Sequence, residues 1–179
     1  MAAEKITIDK FLELAELYPV LDVRSPGEYQ RAHIPGAISF PLFTDEERKI
    51  VGTAYKQESR EKAIKIGLDY FGARMRRMVE DAEALSREPG AGSRELEACS
   101  REPIEGSLEQ DVESSMLTAN GFQLKQGKQN TRTLIVHCWR GGMRSSAVAW
   151  LLDLYGFKVY TLVGGYKKYR NWVLDTYSK

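Results

Sequence analysis

Cysteine and histidine are scarce: two of each in 179 residues. The thiols, Cys99 and Cys138, make no disulfide framework. With only two histidines beside them they offer no convincing zinc set, so no metal is expected. A charge excess is missing too. The 26 basic and 25 acidic residues leave a net charge of +1, so no global field draws the chain to nucleic acid or to a membrane. Any such contact needs a local patch. No apolar run reaches the roughly 18 residues of a membrane span, and no basic-then-apolar leader opens the sequence. These absences predict a cytoplasmic chain with no membrane partner, of a length that suits one ordinary domain.

What is present centres on Cys138. The apolar residues Leu134, Ile135 and Val136 precede it and predict a short buried strand. The helix-prone stretch Ala147-Val148-Ala149-Trp150-Leu151-Leu152 follows. Between them runs Cys138-Trp139-Arg140-Gly141-Gly142-Met143-Arg144-Ser145. The plain reading of a lone cysteine after an apolar strand is a small buried hydrophobe. A turn with two glycines and two arginines favours a reactive thiol instead. Helix N-terminal amides and arginines stabilise a thiolate. Gly141 and Gly142 let successive N–H groups curl inward as an anion nest. Arg140 and Arg144 add positive charge, and their planar forks suit tetrahedral oxyanions better than lysine does. Ser145 is either a further donor or a helix cap.

Elsewhere short apolar strands alternate with helical patterns. Ile6 to Ile8 predict an edge strand, and Asp9 a cap for a helix through Phe11, Leu12, Leu14 and Leu17. Val20, Leu21 and Val23 predict a buried strand. Ser25-Pro26-Gly27-Glu28 predicts a capped short helix, followed by a turn at His33-Ile34-Pro35-Gly36 and a strand at Ala37 to Phe40. Thr44 caps the acidic start Asp45-Glu46-Glu47. From about Ser59 a long helix carries the stripe Ile64, Leu68, Phe71, Met75, Met78, Ala82 and Leu85, predicted to face the core, though Gly67 and Gly72 weaken it. Its other face, with Lys62, Lys65, Arg74, Arg76 and Arg77, is expected to be solvated. Lys158 to Leu162 predict the last strand, and Tyr169, Trp172, Val173 and Tyr177 the last helix. The sum is an α/β fold, a mainly parallel sheet with helices on both faces and Cys138 at the carboxyl ends of the strands, where such sheets bind ligands.

Residues 86 to about 131 differ. Ser86-Arg87-Glu88-Pro89, Ser93-Arg94-Glu95-Leu96 and Ser100-Arg101-Glu102-Pro103 form a seven-residue repeat, with Ser107-Leu108-Glu109 a decayed copy. Paired apolar positions are missing, and proline and glycine recur, so a coiled coil is not expected. The expectation is a low-complexity, disordered insertion into the single domain 1–179, with Cys99 exposed inside it.

Two signatures now stand together. Asp22-Val23-Arg24-Ser25-Pro26-Gly27-Glu28-Tyr29 with His33-Ile34-Pro35-Gly36-Ala37, and the closing Val163-Gly164-Gly165-Tyr166, resemble those of rhodanese-like domains. Pro41-Leu42-Phe43, Asp45-Glu46-Glu47-Arg48 and Val51-Gly52-Thr53-Ala54-Tyr55-Lys56-Gln57 narrow the resemblance. With Cys138 to Ser145 and Val163 to Arg170, they are similar to the rhodanese portion of bacterial tRNA 2-selenouridine synthases. That family carries a second domain with a phosphate-binding loop, and no Gly-x-x-x-x-Gly-Lys-Ser/Thr run occurs here. The chain is then expected to be a fragment, half of a split enzyme, or a degenerate relative.

The resemblance implies a rhodanese-like fold and a carrier role for Cys138, which would accept sulfur or selenium as a persulfide or perselenide. It would pass that atom toward the wobble uridine of a tRNA, converting 2-thiouridine to 2-selenouridine. Selenophosphate or thiosulfate would be the donor substrate, with no cofactor. In the family an S-geranylated intermediate and much of the tRNA grip belong to the phosphate-loop domain, here a partner domain. Trp139, Arg140, Gly141, Gly142, Met143, Arg144 and Ser145 would bind substrate. Asp22 and Arg24 would support the site as a structural pair, with His33 a loop anchor and His137 buried. Cys138 and Arg144 also have the spacing of cysteine-dependent phosphatases, some of which share this fold. A generic thiosulfate sulfurtransferase, a phosphatase and an inactive docking module remain alternatives.

Overall fold

The computed structural model describes residues 3–87 and 132–178. Cys99, the repeat copies beyond residue 87 and most of the expected insertion lie outside the described residues. The expected boundary at 86 overlaps a helix, which still includes Ser86 and Arg87.

Five strands form one sheet in the order β1-β5-β4-β2-β3, and every neighbouring pair is parallel. The strands are β1 (Glu4–Ile6), β2 (Val20–Asp22), β3 (Ile38–Ser39), β4 (Thr133–His137) and β5 (Lys158–Leu162). The helices are α1 (Ile8–Ala15), α2 (Pro26–Arg31), α3 (Asp45–Gln57), α4 (Arg60–Arg87), α5 (Met143–Leu154) and α6 (Gly165–Tyr177).

Strand β4 lies at the centre, and all five of its residues are buried. Its side chains divide between two apolar clusters, as the two-residue period of a strand requires. Leu134 and Val136 join Leu21, Phe71, Met78, Ala82, Val148 and Leu152 on the side of α4 and α5. Ile135 joins Ile6, Phe11, Leu14, Val20 and Leu162 on the side of α1 and α6. Both faces are therefore covered, which is why the central run Leu134 to Val136 is apolar throughout rather than alternating.

Two local expectations shift. Strand β1 ends at Ile6, and Thr7 rather than Asp9 caps α1, its hydroxyl oxygen accepting from the Lys10 N–H at 3.5 Å. Asp9 instead sits in the first helical turn, where a negative charge suits the helix dipole. The stripe on α4 divides as well. Phe71, Met78 and Ala82 are buried, but Ile64 and Leu68 remain 38% and 55% exposed. This first part of α4 packs beside α3 and leaves a groove open to solvent. Gly67 does not break the helix. It faces the Phe43 ring, which would lie 3.4 Å from an added Cβ.

The basic face of α4 is mostly compensated along the helix: Lys62 pairs with Glu58, Arg76 with Glu80, and Arg77 with Asp81. Arg74 departs from the solvated expectation. It donates to both carboxylate oxygens of Glu47, at 2.6 and 2.8 Å, and to the Leu42 carbonyl at 3.1 Å, tying α4 to α3. Partial burial pushes the Glu47 carboxyl up, but the bonds from Arg74 and Thr44 outweigh it and leave it below its ordinary value. A depressed carboxyl stabilises the fold above its unfolded pKa, about 4.3, and loses that contribution as the pH falls through the folded value. Glu47→Gln should therefore cost about 1 kcal/mol at neutral pH. Urea midpoints measured at a series of pH values should converge with those of the wild type on acidification below about 4.3. A constant gap would show that the charge is not what Glu47 contributes.

Candidate active site

Cys138 follows the last residue of β4, at the carboxyl end of the sheet. Five residues later α5 begins at Met143, so the thiol lies under a helix N-terminus. The Gly142 N–H donates to Sγ at 3.3 Å. Gly142, not Ser145, is the residue that caps α5. Ser145 is buried in the first turn, with its Oγ 3.3 Å from Sγ and donating to the Gly142 carbonyl at 3.0 Å. A hydroxyl has one proton. When sulfur carries its own proton, Ser145 can keep its bond to the carbonyl. When sulfur is a thiolate, the same hydroxyl is placed to turn and donate to it.

The cup is tighter than the sequence suggests. Cys138 is only 3% exposed and packs with the α4–α5 side of the core. Gly141 adopts φ +66°, and a Cβ there would meet the Leu162 carbonyl at 2.6 Å. The loop rests on the turn that opens α6. The Tyr166 N–H donates to the Cys138 carbonyl at 2.9 Å, and the Lys167 N–H to the Trp139 carbonyl at 3.0 Å. Gly165, at φ +56°, makes this approach possible: a Cβ there would lie 2.2 Å from the Cys138 carbonyl oxygen. The Val163-to-Tyr166 signature is thus a seat for the nucleophile loop. Nothing in the sequence alone linked the two.

The predicted binding residues do not all converge. Trp139 turns to the opposite face of the sheet from Cys138 and packs against Tyr166, with ring centroids 5.7 Å apart. Arg140 is exposed and pairs with no acid among the described residues. Arg144 does not stand as a free cation over the sulfur. Its Nη1 donates to Glu28 Oε2 at 2.6 Å. Met143, 47% exposed, and Arg144 together line one end of an open apolar groove of about 550 Å³ between α3 and α4. Leu42, Phe43, Val51, Ile64 and Phe71 contribute to its walls.

Beneath the loop lies the predicted supporting pair. Arg24 Nε and Nη2 fork onto the two oxygens of Asp22 at 2.9 and 2.6 Å, and both residues are buried. Nη2 also donates to the Ala32 carbonyl at 2.8 Å, and the guanidinium lies 4.0 Å from the centroid of the Tyr166 ring. His137 is fully buried, with Nε2 3.8 Å from Asp22 Oδ2. Burial drives its pKa down, only partly countered by the Asp22 carboxylate. His33 anchors its turn through Nδ1, 3.1 Å from the Tyr29 carbonyl, and stacks on the Tyr29 ring at 4.0 Å. Sequence reasoning missed Glu28 and Arg48 as parts of the site. Glu28 lay within the first signature but looked like a cap alone, and Arg48 lay within the narrower signature with nothing local to link it to Glu28.

Among the described residues no group of three His, Cys, Asp or Glu side chains could hold a metal ion, and no helix is long and apolar enough to cross a membrane. The rhodanese-like domain family matches residues 7–85 and 94–171. The chain is 30% identical over 161 residues to the tRNA 2-selenouridine synthase of Nitrosomonas europaea, covering 88% of this chain and 30% of that protein. It is 31% identical over 158 residues to the synthase of Hydrogenovibrio crunogenus, covering 88% of this chain and 32% of that one. The chain thus spans about a third of the length of these curated relatives. Among solved structures it is similar to the N-terminal domain of a protein from Clostridium difficile 630 described as ATP/GTP binding. The two are 32% identical with a TM-score of 0.68, over 96% of this chain and 99% of the other.

Proposed function

This chain belongs to the rhodanese-like domain family, and we propose that it carries sulfur or selenium on Cys138. The observation that supports this most directly is the Gly142 N–H on Sγ at the N-terminus of α5, with Ser145 within reach of the same atom. Both stabilise negative charge on sulfur, which a nucleophile needs before attack and a persulfide carries afterwards.

With thiosulfate the step balances simply. The Cys138 thiolate attacks the sulfane sulfur and forms a new S–S bond. The donor's own S–S bond breaks, and sulfite leaves with the bonding pair. The product is a Cys138 persulfide anion. Arg140 and Arg144, at either side of the glycine turn, meet the oxyanion of the donor. The depth of Cys138 requires the donor's sulfane atom to be admitted past the glycine turn, while its oxyanion stays at the arginines.

The finer reading takes its substrate from the relatives. Their shared name, tRNA 2-selenouridine synthase, supports selenium as cargo, from selenophosphate, and a wobble 2-thiouridine as the acceptor. The tRNA is held through a phosphate-loop partner domain, in the cytoplasm.

Intact-mass measurement tests the carrier. Reduced protein incubated with thiosulfate should gain one sulfur atom. With selenophosphate, which delivers selenium at the selenide level as phosphate leaves, it should gain one selenium atom when a disulfide is added as the two-electron oxidant. Cys138→Ala should gain neither. Arg140→Lys and Arg144→Lys should each slow loading about ten-fold, since charge is kept but the fork is lost. Absence of an adduct with both donors would end the proposal, and hydrolysis of an aryl phosphate in its place would point to a phosphatase. For the tRNA step, perselenide-loaded protein is mixed with a phosphate-loop domain from a longer relative, 2-thiouridine tRNA, an activated geranyl donor that turns the uridine sulfur into a leaving group, and a thiol that reduces the S–Se bond. Nucleoside mass spectrometry should show 2-selenouridine. Loading without that product would reduce the function to generic sulfur transfer.

A further inference from the structure

We propose that Glu28 is a positioning residue for chalcogen loading: it holds Arg144, together with Arg48, in one ion-pair cluster beside the first turn of α5, the helix whose N-terminus covers Cys138. The inference rests on the carrier reading above.

Glu28 is fixed from below. It closes the capping box of α2, accepting from the Ser25 backbone N–H and hydroxyl, each at 3.3 Å. Its Oε2 accepts from Arg144 Nη1 at 2.6 Å, and its Oε1 lies 3.5 Å from Arg48 Nη2. The Glu28 and Arg144 side chains are 20% and 22% exposed, which shields this contact from solvent more than an ordinary surface pair. Burial pushes the Glu28 carboxyl up, but the bond and charge of Arg144, with the Ser25 N–H and the charge of Arg48, together outweigh it and hold the carboxyl below its ordinary value. Two neighbouring helices, α2 and α3, and the sequence-distant first turn of α5 thus meet on one carboxylate.

The cluster has one negative and two positive charges, a surplus of one positive charge where the donor's oxyanion arrives. A lone arginine spreads over many rotamers. Glu28 takes one of the five N–H groups of Arg144 and leaves the others for a ligand. It therefore acts in two opposite senses. It sets the fork in place for the sulfite that departs, which favours the rate at saturation. Its own charge weakens the pull on the incoming anion, which disfavours affinity. A cap alone would do neither.

This sign difference is the test, read by single-turnover loading with thiosulfate followed by intact mass. Glu28→Gln keeps the shape and a cap acceptor but removes the charge. Its saturating loading rate should fall about ten-fold, with the half-saturating thiosulfate concentration no higher than in the wild type. Glu28→Asp keeps the charge but withdraws it by one methylene, and should lose rate similarly. In an Arg144→Met background, Glu28→Gln should cost no more than about two-fold further, because it acts through Arg144. Removal of the bound sulfur by a neutral thiol should stay unchanged. A saturating rate within about two-fold of the wild type would overturn the proposal. So would a raised half-saturating concentration at unchanged rate, or additive losses in the double variant. If the wild-type chain itself failed to load, the carrier reading would fall instead.

Discussion

Gly165→Ala should both destabilise the protein and stop it loading sulfur, whereas Gly36→Ala should do neither to a comparable degree. Both glycines have positive φ, +56° and +76°. A left-handed conformation costs an alanine about 1–2 kcal/mol wherever it occurs. At Gly36 that is the whole expected cost, because nothing lies within 4 Å of an added Cβ. At Gly165 the Cβ would meet the Cys138 carbonyl oxygen at 2.2 Å, the Gly141 nitrogen at 2.6 Å and the Arg140 nitrogen at 3.0 Å. These are backbone atoms of the nucleophile loop, with no flexible end to move aside. Overpacking adds about 1–3 kcal/mol, and the loop must lift from its seat. The Tyr166 and Lys167 N–H bonds to the Cys138 and Trp139 carbonyls are then lost together. The expected total is about 2–5 kcal/mol, or very roughly 5–20 °C in melting temperature for a chain of this size. Loading should fall more than ten-fold even where the variant is fully folded. A Gly165→Ala protein that melts with Gly36→Ala and loads normally would show that the α6 turn does not hold the loop.

Much of this arrangement was legible because local chemistry and global fold agree. The apolar run Leu134 to Val136 read as a short buried strand, and it is one. Ser25 with Glu28 announced its helix through a capping box that the structure contains, and Thr44 marked an acidic helix start, to which the structure adds a capping box with Glu47. The pairing of Asp22 with Arg24 was expected, as was the burial of His137. What could not be read were contacts that depend on where distant elements meet. Glu28 and Arg144 are 116 residues apart in sequence. Nothing near either one tells that α2 faces the first turn of α5. The depth of Cys138 was hidden for a related reason, since it is set by how α4 and α5 pack over the loop. Ile64 and Leu68 misled because helical periodicity reports which residues share a face. It does not report whether a neighbour covers that face along its whole length.

Asp22→Ala should be the most destabilising change in the supporting layer, and removal of both members of its pair should do less harm than removal of one. Asp22 is fully buried and Arg24 is 1% exposed. The aspartate accepts from Arg24 Nε and Nη2 and also from the Arg24 backbone N–H at 3.1 Å. With the carboxylate gone, a guanidinium is left in the interior with one carbonyl and the face of Tyr166 as compensation. Stranding a buried charge in this way costs about 3–5 kcal/mol. Replacing both partners by apolar residues of similar volume is far milder, because the attraction between buried ions largely offsets what their desolvation costs. Asp22→Val with Arg24→Met should therefore recover a large part of the stability that Asp22→Ala loses, read as urea midpoints. Loading should separate the two roles of the pair. Arg24 lies against Tyr166, and the Tyr166 N–H holds the Cys138 carbonyl, so the pair supports the loop through the same turn that Gly165 opens. The double variant should fold yet load sulfur several-fold more slowly, because methionine cannot press on that ring as a planar cation does. A double variant as unstable as Asp22→Ala would mean that the charge pair itself, rather than the avoidance of an unpaired ion, carries the stability. One that loaded at the wild-type rate would confine the pair to folding.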